Sequence, residues 1–199
     1  MTASRFFRLP PLVAAIVAAA LQTAVIGYMV ESRASILRNG TDIRLRTMPV
    51  DPRDLLRGDF VTLSYPISAI PKSIVTGGVP QAGTRQRLFV RVKPSADGLW
   101  TATQASFAPL APEEGSVILR TLPLTLYTSA ADGLPETLFV QYGIERYYVP
   151  EGEGRVLEDA RNQEELEVEA RVATDGTPQI ARLILRGKPV YDGMAAFFL

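Results

Sequence analysis

The stretch that most limits what this chain can become is LVAAIVAAALQTAVIGYMV, Leu12 to Val30, the one long run without a charged residue. As a helix its nineteen residues rise roughly 28 Å, close to the hydrocarbon thickness of a bilayer. Gln22 and Thr23 are its only uncharged polar side chains, and no polar face recurs every third or fourth residue as it would on a soluble core helix. Arg5 and Arg8 precede it, and the mixed pair Glu31 and Arg33 follows. The positive-inside rule then keeps the N-terminus in the cytoplasm and sends the remainder across. The expected layout is a cytoplasmic arm at 1–11, a transmembrane anchor at 12–30, a helical stub at 31–40, an exported domain at 41–191 and a tail at 192–199. A cleaved signal peptide is the competing reading, with Val17-Ala18-Ala19-Ala20 as a small-residue cleavage site. The apolar run continues well past Ala20, which favours a retained anchor.

Composition narrows what an exported domain of this kind does. Arg5 and Arg8 are the only charged side chains before Glu31, and the whole chain balances 21 Lys and Arg against 21 Asp and Glu. The exported part is therefore slightly acidic and carries no basic stripe for a nucleic-acid partner. Cysteine and histidine are both absent. That removes disulfides, thiolate nucleophiles, haem attachment, every Ser-His-Asp triad and nearly all zinc sites. No cofactor is expected. A domain without disulfides holds together by packing, which suits a bacterial periplasm, and the inner membrane is the expected location.

Periodicity after the anchor is that of strands. Thr41 to Thr47 alternates apolar and charged, Val61, Leu63 and Tyr65 share one face, and Leu88, Val90 and Val92 alternate with Arg87, Phe89, Arg91 and Lys93. Asp97-Gly98 marks a hairpin that returns through Trp100. Residues 66–83 are broken by prolines and glycines into a surface connection, with Ile67 to Ile70 dipping inward. Ser116 to Leu126 is strand-like but interrupted by Pro123. Arg155 to Asn162 has the composition of a short helix. Leu166, Val168, Ala170 and Val172 face a core across from Glu165, Glu167, Glu169 and Arg171, and Asp175-Gly176 turns into a partner strand. Ile180, Leu183 and Leu185 break strict alternation, which predicts a bulge or burial on both faces. The fold class is mainly β, antiparallel sheets or a barrel-like form with one or two short helices, behind one N-terminal transmembrane helix.

Two separated motifs carry a family resemblance. GDFVTLSY, Gly58 to Tyr65, resembles the signature for which the GDYXXLXY family is named, with Phe60 where that signature has tyrosine. VDPRDLLR, Val50 to Arg57, is similar to the family's lead-in, and YGIERYYVPEGEGR, Tyr142 to Arg155, is a second match. The resemblance spans most of residues 41–191 and implies a membrane-anchored protein of uncharacterised function with a predominantly β domain. Phe60 keeps an aromatic ring and lacks the hydroxyl, so a packing role would survive and a chemical one would not.

The candidate surface consists of the motif residues Asp51, Asp54, Gly58, Asp59, Phe60, Leu63, Tyr65, Tyr142, Gly143, Arg146, Tyr148, Pro150, Glu151, Gly152, Glu153 and Gly154. Their aromatic rings and Arg146 suit a platform for a protein or glycan, if the two motifs meet in space. Asp51, Asp54 and Asp59 have paired-carboxylate spacing, but beside Pro and Gly they are better read as turn caps. Glu151, Glu153, Glu158 and Asp159 lack the spacing of a calcium loop. Arg57-Gly58-Asp59 spells an adhesion tripeptide and is discounted as chance. Thr47-Met48-Pro49 with Arg57 to Val61 resembles part of the type I signal peptidase pattern, which works by a Ser-Lys pair. Thr47 replaces the serine there, and Lys72 or Lys93 would need burial to act as a base. The leading expectation is a domain that contacts another protein, a polytopic membrane protein being the natural partner. A small-ligand or envelope-glycan binder comes second and a histidine-free hydrolase third. The sequence leaves the oligomeric state open.

Overall fold

The computed structural model describes residues 10–50, 60–127, 133–150 and 154–192. The chain divides into two compact units, Met1–Ser35 and Ile36–Leu199. The first consists of most of helix α1 (Pro11–Asn39), which runs without a break through the expected anchor and stub. It is long and apolar enough to cross a membrane, and none of its most apolar window is buried among the described residues.

The second unit begins with the last turn of α1. That turn stops at Gly40, whose N–H closes onto the Ile36 carbonyl at 2.8 Å. A Cβ at Gly40 would lie 2.6 Å from that same oxygen and 3.0 Å from the Val172 nitrogen. Only glycine lets the helix end so close to a strand. The Arg171 guanidinium donates to the Leu37 carbonyl, one of the acceptors a helix C-terminus leaves open, and pairs with Asp42 at 2.7 Å.

In chain order the strands are β1 (Thr41–Arg46), β2 (Phe60–Thr62), β3 (Ala69–Pro71), β4 (Val75–Thr76), β5 (Arg85–Gln86), β6 (Phe89–Pro94) and β7 (Trp100–Ser106). They continue as β8 (Val117–Arg120), β9 (Leu124–Thr125), β10 (Thr137–Phe139), β11 (Arg146–Tyr148), β12 (Leu166–Val172), β13 (Pro178–Leu185) and β14 (Lys188–Asp192), with helix α2 (Gly154–Asn162) between β11 and β12. One sheet has the order β1-β12-β13-β14 and a second the order β4-β7-β6-β8. Three two-stranded pairs, β10-β3, β11-β2 and β5-β9, complete them. All of these pairings are antiparallel except β4 with β7. The chain is thus mainly β in several sheets with two helices.

Inward side chains from these sheets, from β2 and β11, and from α2 merge into one apolar core that includes Leu45, Val61, Val90, Leu119, Tyr147, Leu157 and Leu183. The alternation seen in β12 is realised position for position, apolar residues buried and charged ones half-buried. The predicted bulge lies between the Glu169–Arg182 and Ala170–Ile180 pairs, leaving Ala181 as the extra residue. Two consecutive inward residues, Ile180 and Ala181, are accommodated that way. The tip of the β12–β13 hairpin docks on the edge of β8: the Arg120 N–H donates to the Gly176 carbonyl at 2.8 Å, and its guanidinium meets Asp175 at 2.7 Å.

Two elements differ from the sequence reading. Arg85 to Lys93 is not one strand, because the chain shifts from pairing with β9 to pairing with β7 and β8 between Gln86 and Phe89. Arg91, which alternates with Leu88, Val90 and Val92, is itself only 5% exposed. The segment after β7 folds back over it, and its guanidinium donates to Gln104 Oε1, Ser116 Oγ and the Ala111 carbonyl. The proline-broken region 66–83 is more than a surface connection, since it supplies β3 and β4 and buries Ile67 and Ile70 as expected.

Candidate functional site

Strand β2 opens directly after the first motif's glycine and acid, and β11 lies within the second motif. The two strands pair antiparallel, Phe60 opposite Tyr148, Val61 opposite Tyr147 and Thr62 opposite Arg146. Alternation then sorts their side chains. Val61 and Tyr147 enter the core, while Phe60, Thr62, Arg146 and Tyr148 take the outer face. On that face the Phe60 and Tyr148 rings lie 5.9 Å apart, tilted by 58°. The Arg146 guanidinium sits 5.4 Å from the Phe60 ring centre. Such a contact contributes roughly 0.5–1 kcal/mol at an exposed site. Tyr148 remains 68% exposed even so.

Beneath this face the motifs interlock through buried hydrogen bonds. The Leu63 N–H donates to the Glu145 carbonyl at 2.8 Å. The Tyr65 hydroxyl donates to the Ile144 carbonyl at 2.7 Å, and the Tyr142 hydroxyl donates to the Ile67 carbonyl at 2.6 Å. Each tyrosine thus crosses from one motif region to the backbone of the other. Burial, with a smaller contribution from the charge on Glu145, raises the pKa of both hydroxyls well above the ordinary tyrosine value. They stay protonated, so they act as donors and not as bases. The Glu145 carboxylate accepts from the backbone N–H groups of Tyr142 and Gly143, at 2.5 and 2.9 Å, and holds the tight turn in which Gly143 takes a positive φ.

The candidate residues therefore separate. Phe60, Arg146 and Tyr148 come together on an outer face, Pro150 is exposed nearby in sequence, and Gly154 starts α2. Leu63, Tyr65 and Tyr142 are 1%, 1% and 3% exposed and belong to the core, so they support the face without forming it. Asp51, Asp54, Gly58, Asp59, Glu151, Gly152 and Glu153 lie outside the described residues. Sequence reasoning missed Glu145 and Arg161. Arg161 is 2% exposed on α2 and donates to the Thr62 carbonyl of β2 at 2.6 Å, pinning the helix beneath the motif pair. Burial lowers its pKa, against the pull of Glu158.

A groove of about 610 Å³ runs beside the motif pair. Its walls include Pro49, Ser64, Leu122, Phe139 and Gln141, and Phe139 is its one aromatic ring. The Ser68 hydroxyl, which also lines it, is buried without a hydrogen-bond partner among the described residues. Thr47 is fully buried with its hydroxyl on the Leu166 carbonyl at 2.5 Å. Lys72 and Lys93 keep 47% and 38% of their side chains in solvent and pair with Glu136 and Glu113. Among the described residues no cluster of three or more acids could hold a metal ion, and Glu158 and Asp159 lie half-buried and exposed on α2.

A family model described as GDYXXLXY protein matches residues 22–183. That match covers most of the chain, includes both motifs and reaches back into helix α1, so the chain belongs to that family. No curated protein and no solved structure matched the chain.

Proposed function

We propose that this member of the GDYXXLXY family is a single-pass protein of the bacterial inner membrane, with its N-terminus in the cytoplasm and its strand domain on the periplasmic side. In this reading the domain works by docking another membrane protein through the outer face of β2 and β11. The observation that carries it is Tyr148, exposed beside Phe60 and Arg146 on strands joined from two distant motifs. Tyrosine and arginine are the side chains most enriched where partners bury energy, because each offers a broad apolar surface with a polar end. Confinement to one bilayer raises the effective concentration of a partner there, so a small face suffices. The acidic balance of the domain disfavours nucleic acid.

Co-purification from mild detergent tests the reading. Wild-type protein and a Tyr127→Ala control, altered at a tyrosine 90% exposed outside both motifs, should retain the same membrane-protein partner. Tyr148→Ala and Arg146→Ala should lose it while keeping their circular dichroism. Retention of that partner in both variants would defeat the reading. A second reading, a small envelope ligand, rests on the groove with its Ser68 hydroxyl, unpartnered among the described residues. Its walls are open and nearly free of aromatic rings, which makes it the weaker of the two.

A further inference from the structure

A polar group of another kind lies in helix α1. Thr23 satisfies its own hydroxyl by donating to the Ala19 carbonyl at 2.9 Å. The Gln22 side-chain amide has no such partner on its helix. It stands near the middle of a charge-free run, in a helix whose apolar window is entirely exposed within the chain. In hydrocarbon an amide that bonds to nothing is costly, and a neighbouring helix is what can receive it.

At 3.6 residues per turn, the face that presents Gln22 also carries Ala15, Ala18, Ala19 and Ile26. Three alanines beside the amide let a second backbone come close enough for amide-to-amide contact. An amide holds both donor and acceptor, so it is complementary to itself across a two-fold axis. Parallel copies of one chain place their Gln22 residues at the same depth automatically, a match that any other helix would need a polar residue of its own to reproduce. We infer that α1 associates with a second copy of this chain in the membrane through Gln22 and the alanine face. The inference rests on the reading of α1 as a retained anchor. A competing small-residue stripe, Ala20, Ala24 and Gly27, lies on the opposite side and lacks an amide.

The chain contains no cysteine, so single cysteines report proximity without background. In membranes bearing the full-length protein, Ala15→Cys, Ala19→Cys and Ile26→Cys should form disulfide-linked dimers on mild oxidation. Val17→Cys and Ala24→Cys should not. Adding Gln22→Leu to Ala19→Cys should weaken dimerisation by about three- to thirtyfold, from the usual strength of interhelical hydrogen bonds, and Gln22→Asn should restore part of it. Cross-links on the Ala24 side alone, no cross-links, cross-links indifferent to Gln22, or a linked species of a different mass would each overturn the inference. Carbonate extraction of the same membranes separates the two claims. Full-length protein that stays in the pellet but does not cross-link overturns self-association alone, whereas protein released or shortened overturns the anchor and the dimer with it.

Discussion

Tyr65 and Tyr142 each aim a hydroxyl at a carbonyl that would otherwise be stranded away from water. Removing the Tyr65 donor leaves the Ile144 oxygen unpaired, so Tyr65→Phe should cost about 1–3 kcal/mol. Phe60→Tyr, which introduces the family's usual residue, adds a hydroxyl to a half-buried outward ring and should change stability by less than about 0.5 kcal/mol. Guanidinium unfolding followed through Trp100 fluorescence compares the two. Equal losses would mean that the motif's two aromatic positions do the same work. The buried hydroxyls also predict a pH dependence. In the unfolded chain they ionise near the ordinary value of 10.0, while in the folded state they stay protonated. The folded form then holds more protons above that pH. Their contribution is fully present below it and falls as pH rises, by about 1.4 kcal/mol per pH unit for each tyrosine. Tyr65→Phe combined with Tyr142→Phe should flatten the alkaline limb of the stability curve; an unchanged limb would contradict the burial argument.

Strands pair here by two different logics, and only one of them is local. The β12–β13 hairpin was legible because alternation, the Asp175-Gly176 turn and a break at Ile180 all lie within one short stretch. The same holds for α1 and for the inward set Val61, Leu63 and Tyr65. The pairing of β2 with β11 joins segments far apart in the chain, and no period in either strand announces its partner. The burial of Arg91 is not local either: it depends on acceptors from Gln104, Ala111 and Ser116, outside its own strand. Of the candidate face, the aromatic residues were visible in the motifs, but which of them point outward followed only from the pairing. Glu145 and Arg161 carried no signal beyond being charged. The hairpin tip offers a test at this scale. Gly176 has φ of 84°, and a Cβ there would sit 3.0 Å from the Ile118 carbonyl. Gly176→Ala should therefore cost about 1–3 kcal/mol and loosen the contact with β8. Hydrogen exchange at the Arg120 amide, which donates to Gly176, would report it. Unaltered protection would contradict the docking role given to that turn.

At the scale of the molecule, an apolar helix and a strand-built body with one continuous core make a protein whose shared family region runs from inside the helix to β13. In the proposed reading that helix holds the folded domain at a membrane, where the outer face of β2 and β11 meets a partner. Topology is the first expectation: a phosphatase reporter joined after Leu199 should be active, and a reporter that works only in the cytosol should not. The most direct test places a photo-activatable amino acid at Tyr148, and in a separate strain at Tyr127, and irradiates intact cells. The account predicts a discrete adduct with a membrane protein from position 148 that is absent from position 127 and is reduced by Arg146→Ala. Labelling that is equal from both positions, or absent from Tyr148, would contradict it.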